Sequence, residues 1–209
     1  MAEIKICGIT NLEDALLCVQ LGADTLGFNF YPASPRYIDP KNARVIVEQM
    51  PVNILNVGVF VNADAETIQA AAETAGLGAV QLHGDETPAF ARDLRERLKL
   101  PVIKAFRVSK DFTPEDVRQF DVDAVLLDTF SPTMHGGTGE TFDWNTARKV
   151  RKIFPRMYLA GGISPENVHL AISEVDPFAI DACSSLESSP GKKDPRRLHL
   201  FIEEAKRNG

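Results

Sequence analysis

Eight short apolar runs rich in β-branched residues, each followed by a helix-opening signal, leave this chain few folds to choose from. The runs are Ile4–Cys7, Thr25–Phe30, Leu55–Val61, Ala79–His83, Val102–Arg107, Ala124–Asp128, Tyr158–Ala160 and Phe178–Cys183. Amphipathic segments lie between them. At Asp39-Pro40, Thr113-Pro114, Ser164-Pro165 and Asp194-Pro195 a capping side chain precedes a proline. The cap oxygen takes an orphan N–H at a helix start, and proline has none to leave unpaired. Asn11, Asp64, Asp85 and Asp143 are the expected openings of the other four helices. Eight units in 209 residues, about 26 residues each, predict a parallel α/β barrel. The expectation is a (β/α)8, or TIM, barrel formed by residues 1–209 as a single domain. An open doubly wound sheet shares the alternation. The count of eight, and the absence of Gly-x-Gly-x-x-Gly after the first run, favour the barrel.

Composition narrows the function class. The chain is 44% hydrophobic and 25% charged, with a net charge of −6. No apolar stretch approaches the roughly 20 residues a membrane helix needs. Lys and Arg form no stripe, which excludes nucleic acid and anionic membrane as expected partners, since both need concentrated positive charge. The three cysteines, Cys7, Cys18 and Cys183, have no regular spacing. That argues against a disulfide framework and for a reducing compartment. No CxxC or HxxxH pair suggests a metal. Met1 to Ile6 run into a strand-like segment without a basic-then-apolar signal region. The expectation is a cytoplasmic, metal-free chain, with monomer and homodimer both open.

Strand parity points to a site. Alternate residues of a barrel strand face the interior and the surrounding helices. Ile4 and Ile6 oppose Lys5 and Cys7; Val80 and Leu82 oppose Gln81 and His83; Ile180 and Ala182 oppose Ala179, Asp181 and Cys183. The apolar sets should face the helices and the polar sets the interior. Cys7, His83, Asp128 and Asp181 then fall at C-terminal strand ends, the face where barrel enzymes build active sites.

Four groups there can carry chemistry. Gly161-Gly162 joins the seventh strand to a helix start, and Asp181-Ala182-Cys183-Ser184-Ser185 ends the eighth. In barrels these two loops commonly hold phosphate, although a lone Gly-Gly is also an ordinary turn. Cys7 is either a small buried hydrophobe or, as a thiolate near cationic groups, a general base. Asp128 ends an apolar strand, where a carboxylate can cap a helix, pair with a lysine, or act as a proton donor if an enclosed apolar site raises its pKa. Arg36, in the proline-stiffened loop Tyr31-Pro32-Ala33-Ser34-Pro35-Arg36, can grip a carboxylate or simply form an exposed salt bridge. Cys18, within the first helix, reads as inert, and His135, His169 and His199 have no evident partner.

Taken in order, these segments resemble the phosphoribosylanthranilate isomerase family. The resemblance rests on Lys5-Ile6-Cys7-Gly8-Ile9-Thr10, Gly27-Phe28-Asn29-Phe30 running into Ser34-Pro35-Arg36-Tyr37-Ile38, and Val80-Gln81-Leu82-His83-Gly84. It continues in Leu127-Asp128-Thr129, Gly136-Gly137-Thr138-Gly139 with Phe142-Asp143-Trp144, Ala160-Gly161-Gly162-Ile163, and Asp181 to Glu187. It implies a cofactor-free Amadori rearrangement of a small phosphoribosyl substrate, N-(5′-phosphoribosyl)anthranilate. By motif, Cys7 would be the base, Asp128 the acid and Arg36 the carboxylate binder. His83 and Asp181 would contact substrate, and Gly161, Gly162, Ser184 and Ser185 would hold the phosphate. One departure is visible: Ser185 stands where the family carries glycine, so a positive φ there would be strained. The histidine-pathway isomerase, which by resemblance carries aspartate at the Cys7 position, and a non-catalytic phosphosugar-binding barrel are the rival readings. Indoleglycerol-phosphate synthase would need a lysine–glutamate set that this sequence does not offer.

Overall fold

The computed structural model describes residues 1–128 and 144–207. Its strands are β1 (Glu3–Cys7), β2 (Thr25–Asn29), β3 (Leu55–Phe60), β4 (Ala79–Leu82), β5 (Val102–Arg107), β6 (Ala124–Asp128), β7 (Met157–Ala160) and β8 (Ala179–Ala182). All pair in parallel in sequence order, and β8 returns to β1 to close the barrel. The helices are α1 (Leu12–Leu21), α2 (Pro40–Val47), α3 (Ala65–Ala75), α4 (Pro88–Leu98), α5 (Asn145–Ile153), α6 (Val168–Val175) and α7 (Pro195–Lys206). A short hairpin, β9 (Glu187–Ser189) and β10 (Lys192–Lys193), follows β8. Among the described residues no helix is long and apolar enough to cross a membrane.

Capping explains most helix starts. Asn11, Asp39, Asp64 and Asp194 each accept from a backbone N–H of the first turn. Two expected starts are corrected, and a third opens a 3-10 helix rather than an α-helix. The α4 cap is Thr87, directly before Pro88, and not Asp85, which faces Asn62 instead. Thr113-Pro114 opens a 3-10 helix over Pro114–Gln119, tied by the Thr113 N–H to Asp116 Oδ2 at 2.8 Å. Ser164-Pro165 begins a turn, and α6 starts only at Val168. The Asn167 side chain explains the delay. It donates to Gly162 O at 2.9 Å and accepts from Ser164 N–H at 2.8 Å, folding the segment into a loop first. Asp143, and with it Thr129, His135, Gly136-Gly137-Thr138-Gly139 and Phe142, lies outside the described residues.

Strand parity sorts the core into two layers. Ile4, Ile6, Val80, Leu82 and Ile180 pack outward among the helices. Val57, Ala79, Ile103, Ala105, Ala124, Leu126, Tyr158, Ala160 and Ala179 pack inside the barrel. The interior carries many alanines because larger polar side chains share it: Lys5, Gln81 and Asp181 are all buried. Gly27 makes room for the first strand's end, since a Cβ there would meet Cys7 Sγ at 2.7 Å and Cys7 Cα at 3.1 Å. Gly27→Ala should therefore destabilise the barrel by about 1–3 kcal/mol, the range for overpacking a tight interior. Denaturant unfolding measures this, and a variant as stable as the parent contradicts it.

Candidate active site

The C-terminal mouth of the barrel holds a cavity of about 310 Å³. Cys7, Arg36, His83, Asp128, Gly161, Gly162, Asp181, Ser184 and Ser185 all line it, together with Asn29 and Gln81. The β8–β1 register sets one wall. Lys5 lies opposite Asp181, and their side chains pair at 2.9 Å with both residues buried. Burial pushes the Asp181 carboxyl up to about 6, against the pull of Lys5. For Lys5, burial opposes the charge, but Asp181 and Cys7 outweigh it and leave its pKa raised. Asp181 is thus already paired at its inner side.

Cys7 ends β1 two residues beyond Lys5, and Cys183 follows β8 two residues beyond Asp181. This brings the two thiols within hydrogen-bonding reach. Gly8 permits the approach, since a Cβ there would meet Cys183 Sγ at 2.9 Å and Arg36 Cδ at 2.8 Å. Cys183 beside it holds the Cys7 thiol well below its usual range; burial opposes this, and Lys5, Lys193 and His83 add to it, while Cys183 Sγ also reaches Glu187 Oε1 at 3.9 Å. Cys183 is pushed up by the same contact, and burial adds to that. The two thiols are pushed in opposite directions, Cys7 toward the thiolate and Cys183 toward the thiol. Burial pushes the Cys18 thiol up to about 12, with Asp14 adding to it and Lys193 opposing.

Asp128 lies on the other side of the mouth. It sits not in apolar surroundings but within 3.2 Å of His83 Nε2 through its Oδ2. Gln81 Nε2 lies 2.8 Å from His83 Nδ1, so with the amide donating, the imidazole proton is on Nε2 and points at Asp128. The loop carrying His83 is pinned from β5: Lys104, buried, donates to Gly84 O at 2.7 Å and Glu86 Oε2 at 2.8 Å.

Arg36 combines salt bridging with a free gripping edge. Its salt bridge runs to Glu187 at the cavity edge, a nearly buried partner. Its Nε lies 2.9 and 3.0 Å from the two carboxylate oxygens, and its Nη2 2.6 Å from one of them. One edge of the guanidinium is used; the Nη1 side has no partner among the described residues, and the residue lines the cavity. Glu187 is held below its usual range: burial opposes ionisation, and Arg36 and Lys193 overcome it.

The loops after β7 and β8 form one unit. Gly161 and Gly162 take φ of +76° and +67°, a left-handed pair that only glycine adopts freely. Ser184 and Ser185 open a single 3-10 turn, Ser184–Leu186. Ser185 does not have a positive φ, so the expected strain is absent. Its hydroxyl instead donates to Ile163 O at 2.5 Å and ties the two loops together, while Arg197 Nε donates to Ser185 O.

Glu187 and Lys193 join the site without a clear sequence signal of their own. Glu187 closes the last resembling segment, which is a usable pointer; Lys193 sits in a two-residue strand with no periodicity to betray it. Lys5 and Gln81 are legible through their inward parity.

A family model described as N-(5'phosphoribosyl)anthranilate (PRA) isomerase matches residues 4–204. An N-(5'-phosphoribosyl)anthranilate isomerase of Citrifermentans bemidjiense is 47% identical over 207 residues, covering 99% of this chain and 98% of the relative. The crystal structure of phosphoribosyl anthranilate isomerase from Thermotoga maritima is similar at a TM-score of 0.87 and 47% identity, over 99% of both chains. A second solved isomerase, in complex with reduced 1-(o-carboxyphenylamino)-1-deoxyribulose 5-phosphate, is 44% identical with a TM-score of 0.85, again over 99% of both chains.

The Cys183 contact generates a pH prediction. Were Cys7 the base, it would have to act as a thiolate, and activity would rise with pH as Cys7 ionises. Cys183→Ala removes the contact that favours the thiolate, and the rising limb should move to higher pH. Cys183→Ser keeps an O–H donor and should leave the limb near its original position. Superimposable kcat/KM profiles for Cys183→Ala and the parent would contradict the contact's role.

Proposed function

The chain belongs to the N-(5'-phosphoribosyl)anthranilate isomerase family, and we propose that it works with Cys7 as general base and Asp128 as general acid. The activity is the isomerisation of N-(5′-phosphoribosyl)anthranilate in tryptophan biosynthesis. Asp128 protonates the furanose ring oxygen. The C1′–oxygen bond breaks as the nitrogen lone pair forms a protonated Schiff base. The Cys7 thiolate then removes the C2′ proton to give an enolamine, and protonation at C1′ with loss of the C2′ hydroxyl proton gives the 2-keto product, the 1-amino-1-deoxyribulose 5-phosphate. One cavity bordered by both Cys7, whose surroundings favour its thiolate, and the Asp128 side chain is the observation that carries this reading. In this reading His83, whose Nε2 lies 3.2 Å from Asp128 Oδ2, orients the carboxyl toward the ring oxygen.

The remaining groups orient the substrate. In this reading the free edge of Arg36 takes the anthranilate carboxylate in bidentate fashion, because Glu187 fixes the guanidinium by its other edge. Gly161, Gly162, Ser184 and Ser185 hold the phosphate, at the loops where barrels commonly bind it. A working thiolate requires a reducing environment, which supports a cytoplasmic location.

Turnover followed by loss of anthranilate-type fluorescence, with substrate generated in situ, tests the assignments. Asp128→Asn should lose about 10²–10⁴-fold in kcat, the usual contribution of a general acid. Arg36→Ala should raise KM for the substrate strongly, yet leave inhibition by simple phosphosugars nearly unchanged. Retention of more than about a tenth of kcat in Asp128→Asn, or equal weakening of both ligands in Arg36→Ala, would move these roles elsewhere.

A further inference from the structure

Lys193 is a deeply buried cation beside the site that the mechanism above leaves unused. Its side chain is fully buried. A buried ammonium is tolerated only when its donors are matched and its charge is answered. Lys193 has three N–H donors and three acceptors: Cys7 O at 2.6 Å, Cys183 O at 3.3 Å and Glu187 Oε1 at 3.3 Å. Its backbone N–H donates to Asp14 Oδ2 at 2.8 Å, in the first turn of α1, so the residue is fixed from both ends. Two of the three acceptors are the carbonyls of the two site cysteines. The charge therefore sits against the backbone of both thiols.

Three basic and three acidic side chains meet on this wall. Lys5 and Asp181 balance each other across β1 and β8. Glu187, by contrast, answers two cations, Arg36 and Lys193. Asp14, which accepts from the Lys193 backbone N–H, adds a third acidic side chain, and the 2.6 Å approach of the Lys193 ammonium to Cys7 O is what sets its charge beside the thiol. The groups facing Cys7 are Lys5 on its own strand, Asp181 and Cys183 at β8, His83 beyond β4, and the Arg36–Glu187–Lys193 cluster.

We infer that Lys193 is a positioning residue for both halves of the reaction: its buried charge keeps the Cys7 base ionised, and through Glu187 it aims Arg36 at the substrate carboxylate. The inference rests on the assignment of Cys7 as base and Arg36 as carboxylate binder. A purely structural Lys193 would fasten the β9–β10 hairpin and nothing more. The two roles differ in what they do to the Cys7 thiol.

The experiment is the pH dependence of Cys7 alkylation by iodoacetamide, read on the Cys7 peptide by mass spectrometry, beside kcat and KM. Lys193→Gln keeps length and hydrogen-bonding capacity but removes the charge. It should move the alkylation midpoint up by about one pH unit, the effect of losing a nearby opposite charge, and raise KM as Arg36 loses its fixed aim. Lys193→Arg, which keeps the charge, should restore the midpoint. Glu187→Gln provides the opposite test and applies even if Lys193→Gln fails to fold. It removes the anion of the cluster, and the midpoint should move down. An unmoved midpoint in a folded Lys193→Gln, or in Glu187→Gln, overturns the inference. If turnover survives Cys7→Ser, the base assignment itself fails; an unmoved midpoint with an inactive Cys7→Ser removes only the part given to Lys193.

Discussion

The pairing of the last strand with the first is the interaction on which the rest depends. Closing β8 onto β1 in the register that sets Lys5 opposite Asp181 buries an ion pair inside the barrel. Replacing either partner alone would leave an unanswered charge in the interior, which costs about 3–5 kcal/mol when such a pair is broken. A slip of β8 by one residue would turn Asp181 into the helix layer and Ile180 into the lumen, leaving Lys5 unanswered. The same register carries Cys7 and Cys183, each two residues further on, to adjacent positions at the mouth. Closure and the chemistry of the mouth are therefore one constraint.

A buried thiol does not ionise near neutrality without help, because burial favours the uncharged form. At this mouth the help comes from the Cys183 thiol, from Lys5 and Lys193, and from His83. Tight packing makes it possible: glycine at positions 8 and 27 lets Cys183, Arg36 and Cys7 crowd together. The opposite side is built differently. Asp128 is half-buried and bonded to His83, which Gln81 holds in turn from its other ring nitrogen.

Much of this is legible in the sequence because period-two parity survives folding. Alternation alone sets Lys5, Cys7, Gln81, His83 and Asp181 on the inner face and leaves Asp128 at a strand end. The apolar runs match the observed strands within about one residue at each end. The departures have local causes. Asp85 is outcompeted by Thr87, which sits directly before a proline. The segment between Thr113 and Phe120 winds as a 3-10 helix, tied by Asp116. Ser164-Pro165 looks like a cap, but Asn167 folds the segment back on itself. The strand of Asp128 is apolar and suggests apolar surroundings; the polar neighbour comes from the end of β4, which no local pattern reveals. Lys193 and Glu187 lie in a hairpin too short to carry a period, so their link to Cys7 and Arg36 emerges only in three dimensions.

The central claim is that a thiolate at Cys7 does the proton abstraction. Comparing turnover of Cys7→Ser with the parent tests it most directly. Serine nearly matches cysteine in size, so packing is preserved, but its hydroxyl is far too weak an acid to exist as its own anion here. The account predicts a folded protein with its turnover almost abolished. A folded Cys7→Ser that turns over at the parent's rate would contradict it.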